Sequence, residues 1–132
     1  DSVEQMHGLR AMSEVLEQAG QIKEALPYRE ECERIGHQHA PHLAVWLDDL
    51  GALASAQSKL SMHEQAVHSV MQLWDELKDH PEAYATDRGG EKLIYQQLIS
   101  VVEKAGTPSV SKHQEKLTLW KQKLRQLEHP VP

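Results

Sequence analysis

The sequence predicts an all-α chain of antiparallel helical hairpins stacked side by side, about six helices in all. Three observations predict it. Apolar residues recur at steps of three and four along almost the whole chain, the spacing of one helix face. No stretch alternates apolar and polar residues cleanly, and β-branched residues are sparse, so strand signals are absent. A short phrase also recurs after long helical patterns: Gln38-His39-Ala40-Pro41-His42-Leu43-Ala44, Asp79-His80-Pro81-Glu82-Ala83-Tyr84-Ala85 and Glu128-His129-Pro130-Val131. Such recurrence marks a repeat architecture, whose unit cannot hide its apolar faces alone and therefore occurs in series.

The first segment carries Val3, Met6, Leu9, Met12 and Leu16 on one stripe, with Ser2 and Gln5 as a capping box and Gly20 as a stop. The second carries Ile22, Ala25, Leu26, Cys32 and Ile35, and Gly36 suits its end. Proline is tolerated in a first turn, but a start at Gln21 leaves Pro27 beyond it and predicts a kink. Pro41 suits the first position of the third helix, whose stripe is Leu43, Trp46, Leu47, Leu50, Leu53, Ala54 and Gln57. Ser61 and Glu64 form a second capping box ahead of Ala66, Val67, Val70, Leu73, Trp74 and Leu77, and Pro81 closes that helix. Asp87-Arg88-Gly89-Gly90 reads as a break, after which Leu93, Ile94, Leu98, Val101 and Val102 resume the stripe. Gly106-Thr107-Pro108 is a turn before the last stripe, Leu117, Trp120, Leu124 and Leu127. The expected hairpins are about 2–36, 41–79 and 82–128 within one domain, 1–132.

A chain of 132 residues fits one domain with a modest core. Its net charge of −6 argues against nucleic acid or an anionic membrane as partner. No apolar run approaches the roughly 18 residues of a membrane span, and no signal-peptide pattern opens the chain. Cys32 is the one cysteine, so no internal disulfide exists, which leans towards a reducing, cytoplasmic compartment. The first residue is Asp1 and the last residues match the start of a link, so a fragment of a larger protein is expected.

The stretches from Met12 to Leu26 and from Leu53 to Val67 resemble tetratricopeptide repeats. Met12-Ser13 and Leu53-Ala54 match the large–small pair of that family's first helix, and Ala25 and Ala66 match the small residue early in its second. Ala25 and Ala66 lie 41 residues apart, beyond the usual period of about 34. The longer spacing, with Ile35-Gly36-His37-Gln38-His39-Ala40-Pro41 and Leu77-Lys78-Asp79-His80-Pro81 as links, resembles the kinesin light chain variety. The third hairpin departs from the pattern, with Ile99 and Lys116 where small residues are expected, and Arg29 stands where the family places an aromatic ring.

The resemblance implies a right-handed solenoid that binds a protein or peptide in a concave groove lined by the first helix of each hairpin. Carried over position by position, the groove residues are Arg10, Glu14, Glu17, Asp48, Ser55, Lys59, Gln96, Ser100 and Glu103. The basic and asparagine clamp of the chaperone-binding members is missing, since the chain has no Asn. Glu14, Glu17, Asp48 and Glu103 favour a basic segment by charge complementarity. Two other functions fit the same pattern: self-association through exposed repeat ends, and a regulatory domain of a larger enzyme or transcription regulator.

Enzymatic chemistry has no constellation to carry it, so no catalytic residue is assigned and the chain is not expected to be an enzyme. No Gly-x-Ser-x-Gly turn or phosphate loop is present. Cys32 lies on an apolar stripe and reads as a buried structural thiol. His37, His39 and His42 crowd one link, but no carboxylate or thiolate joins them there, so neither a metal nor another cofactor is expected. His63 and His68, five apart on one helix, diverge by more than a quarter turn and read as surface residues. Trp46, Trp74 and Trp120 read as core, with Trp74 the one expected to reach a partner.

Overall fold

The computed structural model describes residues 3–39, 44–81 and 88–129. Seven helices occur among them and no strand: α1 (Val3–Gln18), α2 (Ile22–His39), α3 (Ala44–Lys59), α4 (His63–Asp79), α5 (Arg88–Lys104), α6 (Thr107–Lys112) and α7 (Gln114–Glu128). The helix beyond the six expected is α6, a short piece where only a turn was expected. Gly106, at φ 99°, turns the chain, and Pro108 at the start of α6 sits where its missing N–H has no helical partner to lose.

Each long helix packs on the next, with α1 on α2, α2 on α3, α3 on α4 and α4 on α5, while α5 also meets α3 and α7. Links of three residues make α1 antiparallel to α2 and α3 antiparallel to α4. The main core joins Trp46, Leu47, Leu50 and Ala54 of α3 with Val70, Leu73, Trp74 and Leu77 of α4, then Leu98 and Val102 of α5 and Leu117 and Trp120 of α7. A smaller cluster, Met6, Cys32 and Ile35 with Leu9 against it, holds α1 to α2.

The spacing of 41 residues read from Ala25 and Ala66 recurs in the backbone of the first two hairpins. At the end of α1, the Gly20 amide donates to the Glu17 carbonyl and the Gln21 amide to the Leu16 carbonyl. At the end of α3, the Ser61 amide donates to the Ser58 carbonyl and the Met62 amide to the Gln57 carbonyl. Both are helix stops with a left-handed residue, Gly20 at φ 79° and Ser61 at φ 60°. Ser13 and Ala54 are fully buried, as are Ala25 and Ala66, so the helices of both hairpins approach through small residues.

Ser61 therefore stops a helix rather than capping the next one. Met62 is the N-cap of α4 and supplies no side-chain bond, which corrects the expected capping box. An L-residue with a side chain is disfavoured at positive φ, and glycine is not. Ser61→Gly is expected to stabilise the chain by about 0.5–1 kcal/mol in a denaturant titration.

Three further expectations change. Gly36 does not end the second helix, which continues to His39; it is buried instead against the ring of Trp46. A Cβ added there would lie 2.7 Å from Trp46 Cδ1, and Trp46 is itself buried in the core. Gly36→Ala is expected to cost about 1–3 kcal/mol, whereas Gly8→Ala, in open space on α1, gains up to about 1 kcal/mol. Opposite signs for the same chemical change would show in the two melting temperatures. Met12 and Leu93, both placed on apolar stripes, are 46% and 67% exposed, and Ser13 and Tyr95 are buried instead. The helices rotate to bring small and aromatic residues inward.

Pro27 lies inside α2, so the carbonyl four residues earlier receives no amide from it. The expected break at Gly89-Gly90 falls within the first turn of α5, which starts at Arg88. Ser2, His42 and the proposed start at Pro41 lie outside the described residues. None of the described helices is long and apolar enough to cross a membrane.

Candidate binding surfaces

The nine groove residues carried over from the resemblance divide into those the fold has already used and those it leaves facing solvent. Arg10 belongs to the first kind. Its Nε and Nη2 donate to both carboxylate oxygens of Asp49, at 2.9 and 2.8 Å, clamping α1 to α3. Asp49 is buried, and Arg10 is about one quarter exposed. The hydrogen bond from Asp49 raises the pKa of the guanidinium above its ordinary value, against the opposing effect of burial.

Glu17 is also committed. Arg29, buried on α2, donates Nε and Nη2 to its two oxygens at 3.0 and 2.7 Å. This explains why Arg29 stands where an aromatic ring was expected: a forked cation tied to its own hairpin fills the space. One position short of the 41-residue spacing, the next hairpin holds a neutral pair, Ser69 Oγ donating to Gln57 Oε1 at 2.8 Å. Arg10 and Glu17 thus serve as clamps between helices.

The remaining members stay accessible. Glu14, Asp48, Lys59, Gln96 and Glu103 are exposed, and Ser55 and Ser100 are half-buried. The structure brings three of them together: Gln96, Ser100 and Glu103 line a shallow cleft of about 360 Å³ between α5 and α7, with Ile99, Lys104 and Leu124. Lys121 of α7 pairs with Glu103 across it at 2.8 Å, with both side chains about half exposed, so the bond is worth little and can be exchanged. Leu93 lies one turn before Gln96 on α5. A second helix–helix tie, from Gln97 Nε2 to the Gly51 carbonyl, holds α5 against α3.

The residues that sequence reasoning missed are Asp49 and Gln97. Their neighbours Asp48 and Gln96 were chosen instead, and one position along a helix turns a side chain by about 100°. The pairing of Arg10 with Asp49 spans 39 positions and had no local signal.

The other candidates read as structure. Burial raises the Cys32 thiol to about 11, and its Sγ lies 3.5 Å from the Met6 carbonyl, so it stays protonated at neutral pH. Trp74 does not reach outward: it is buried, with its ring edge-on to Trp120 at 5.8 Å and tilted against Tyr95 at 6.3 Å. His37 packs edge-on to Trp46 at 5.1 Å. No cluster of three or more metal-binding side chains occurs among the described residues. No protein-family model, curated protein or solved structure matches this chain.

Proposed function

We propose that this chain is a protein-recognition module of tetratricopeptide-like design, in which an extended or helical peptide docks along the exposed side of α3 and α5. The observation that carries this reading is the face of α5. Leu93, an apolar side chain left in water, sits one turn from a cleft that gathers Gln96, Ser100 and Glu103. An exposed leucine next to a cleft with polar groups offers an anchor and a means of fixing orientation. The shared helix stops of the first two hairpins support the stacked, solenoid-like arrangement on which the reading depends. Glu14 of α1 and Asp48 of α3 are exposed carboxylates, and they favour a basic segment beside them.

Selection from a displayed random-peptide library tests this. The expected outcome is enrichment of peptides that pair an apolar anchor with lysine or arginine. Their binding should fall about tenfold or more in Leu93→Arg, and should weaken with added salt in the parent chain. Peptides that bind Leu93→Arg and Asp48→Lys as well as the parent would overturn the reading.

A second reading, self-association, rests on the outer face of α1, where Met12 and Val15 are 46% and 62% exposed. Light scattering across a concentration series distinguishes it: association through this face would raise the molar mass, and Val15→Glu would abolish the rise.

A further inference from the structure

Charge is unevenly spread along this chain. From Val3 to Pro81 the sequence holds six lysines and arginines against thirteen carboxylates, and from Arg88 to His129 eight against four. The first two hairpins are therefore acidic and the last helices basic, a division that the net charge of −6 hides. Opposite charge on two parts of one chain draws its copies together in one preferred orientation.

The first and last helices of the series each keep exposed apolar side chains with charges of one sign beside them. On α1, Met12 and Val15 are exposed. Arg10 is tied to Asp49 and Glu17 to Arg29, which leaves Glu4 and Glu14 as the exposed carboxylates of that helix. Gly8 and Ala11 are exposed as well, and a Cβ added at Gly8 would meet nothing within 4 Å, so a second helix can come close there. On α7, Lys116, Leu119 and Lys123 follow at steps of three and four and share one line. Leu119 and Lys123 are exposed and Lys116 is half-buried. Lys121 and Glu128 are already paired with Glu103 and Lys92 of α5. Arg125 adds an exposed cation. Glu115 is the carboxylate left outside these pairs, one position before Lys116 and so turned off the line by about 100°. An exposed leucine or valine alone is ordinary surface; here the two faces match in apolar character and are opposite in charge.

We infer that copies of this chain join head to tail, the outer face of α1 in one copy docking on the line of Lys116, Leu119 and Lys123 on α7 of the next. Leu119 meets Met12 and Val15, and the lysines meet Glu4 and Glu14. This rests on the reading of α1 as a self-association face and adds the surface that it meets. The basic segment that Glu14 favours is then carried by the chain itself. Contact of α1 with α1 would bring carboxylates together, and contact of α7 with α7 would bring lysines together, so charge disfavours both symmetric pairings. A contact between two different faces is heterologous, so growth continues past the dimer unless the geometry closes a ring. The apolar centre is small and the ion pairs lie at its rim, so the association is weak and sensitive to salt.

Light scattering over a concentration series tests this with the parent and two variants. The parent's molar mass is expected to rise with concentration, and the association to weaken about tenfold or more between roughly 50 and 500 mM salt. Val15→Arg, and Leu119→Glu combined with Lys123→Glu, should each stay monomeric; all three changes fall on exposed side chains. An equimolar mixture of the two variants should associate again, because an intact α7 meets an intact α1, and only folded chains can do so. In the parent, amide NMR signals that move with concentration should map to both α1 and α7; movement at α1 alone would overturn the inference without any variant. If the α7 variant associates as the parent does while Val15→Arg does not, α1 meets α1, and the head-to-tail contact falls although self-association stands. A parent that stays monomeric overturns both and leaves α7 to an acidic segment of another protein. A mixture that stays monomeric, with both variants as helical as the parent by circular dichroism, also overturns the contact.

Discussion

Replacing Arg10 by methionine is expected to destabilise the chain by about 3–5 kcal/mol, although Arg10 itself is partly exposed. The loss comes from the partner left behind. Asp49 is 1% exposed, and both of its oxygens are satisfied by Arg10. Without the guanidinium, a buried carboxylate loses both of its hydrogen bonds, and only the more distant charge of Arg29 still acts on it. The reverse change is milder. In Asp49→Leu, the Arg10 side chain can swing into water, so a cost of about 1–2 kcal/mol is expected. The double variant, Arg10→Met with Asp49→Leu, should be more stable than Arg10→Met alone, because no unpaired charge is buried. Denaturant titrations of the three variants check this. Equal costs for the two single changes, or additive costs in the double, would contradict it. The loss should be felt first at α1, whose apolar cluster is the smaller one, and amide exchange in α1 should accelerate more than in α5.

Trp120→Ala is expected to cost about 3–5 kcal/mol for a different reason. Trp120 is fully buried and packs edge-on to Trp74 in the main core. Truncation leaves a void bordered by side chains from α4, α5 and α7, and rigid helices collapse into such a void only partly. The melting temperature should fall by roughly 10–20 °C for a chain of this size. Trp120→Phe should cost far less than its lost volume suggests. The indole Nε1 is buried without a partner, and phenylalanine removes that unsatisfied donor along with the outer ring. A cost below about 1 kcal/mol for Trp120→Ala, measured by thermal and chemical unfolding, would show that this end of the core is not packed as described.

The helices were legible because spacing in steps of three and four is a local property, and Leu47, Leu50, Leu73, Leu98 and Leu117 are buried where it places them. The 41-residue spacing was legible from Ala25 and Ala66 alone, because close helix approach admits only small side chains. Local spacing does not say which way a helix rolls once its neighbours arrive. Met12 and Leu93 satisfied a stripe in sequence, yet Ser13 and Tyr95 were turned inward. The candidate site was less legible. Gln96, Ser100 and Glu103 converge because they share one face of one helix. Arg10 and Glu17 had the spacing expected of ligand-facing residues, but their fates were set by Asp49 and Arg29, residues brought close only by folding.

The matched stops at Gly20 and Ser61 have a consequence for how such a chain can change in length. A segment that begins just after one stop and ends at the next enters and leaves through the same hydrogen-bonded joint. Copying it in tandem, or deleting it, rejoins the ends in a conformation the backbone already adopts. The first two hairpins thus share one kind of joint, so a tandem copy cut from stop to stop would create no new kind of junction.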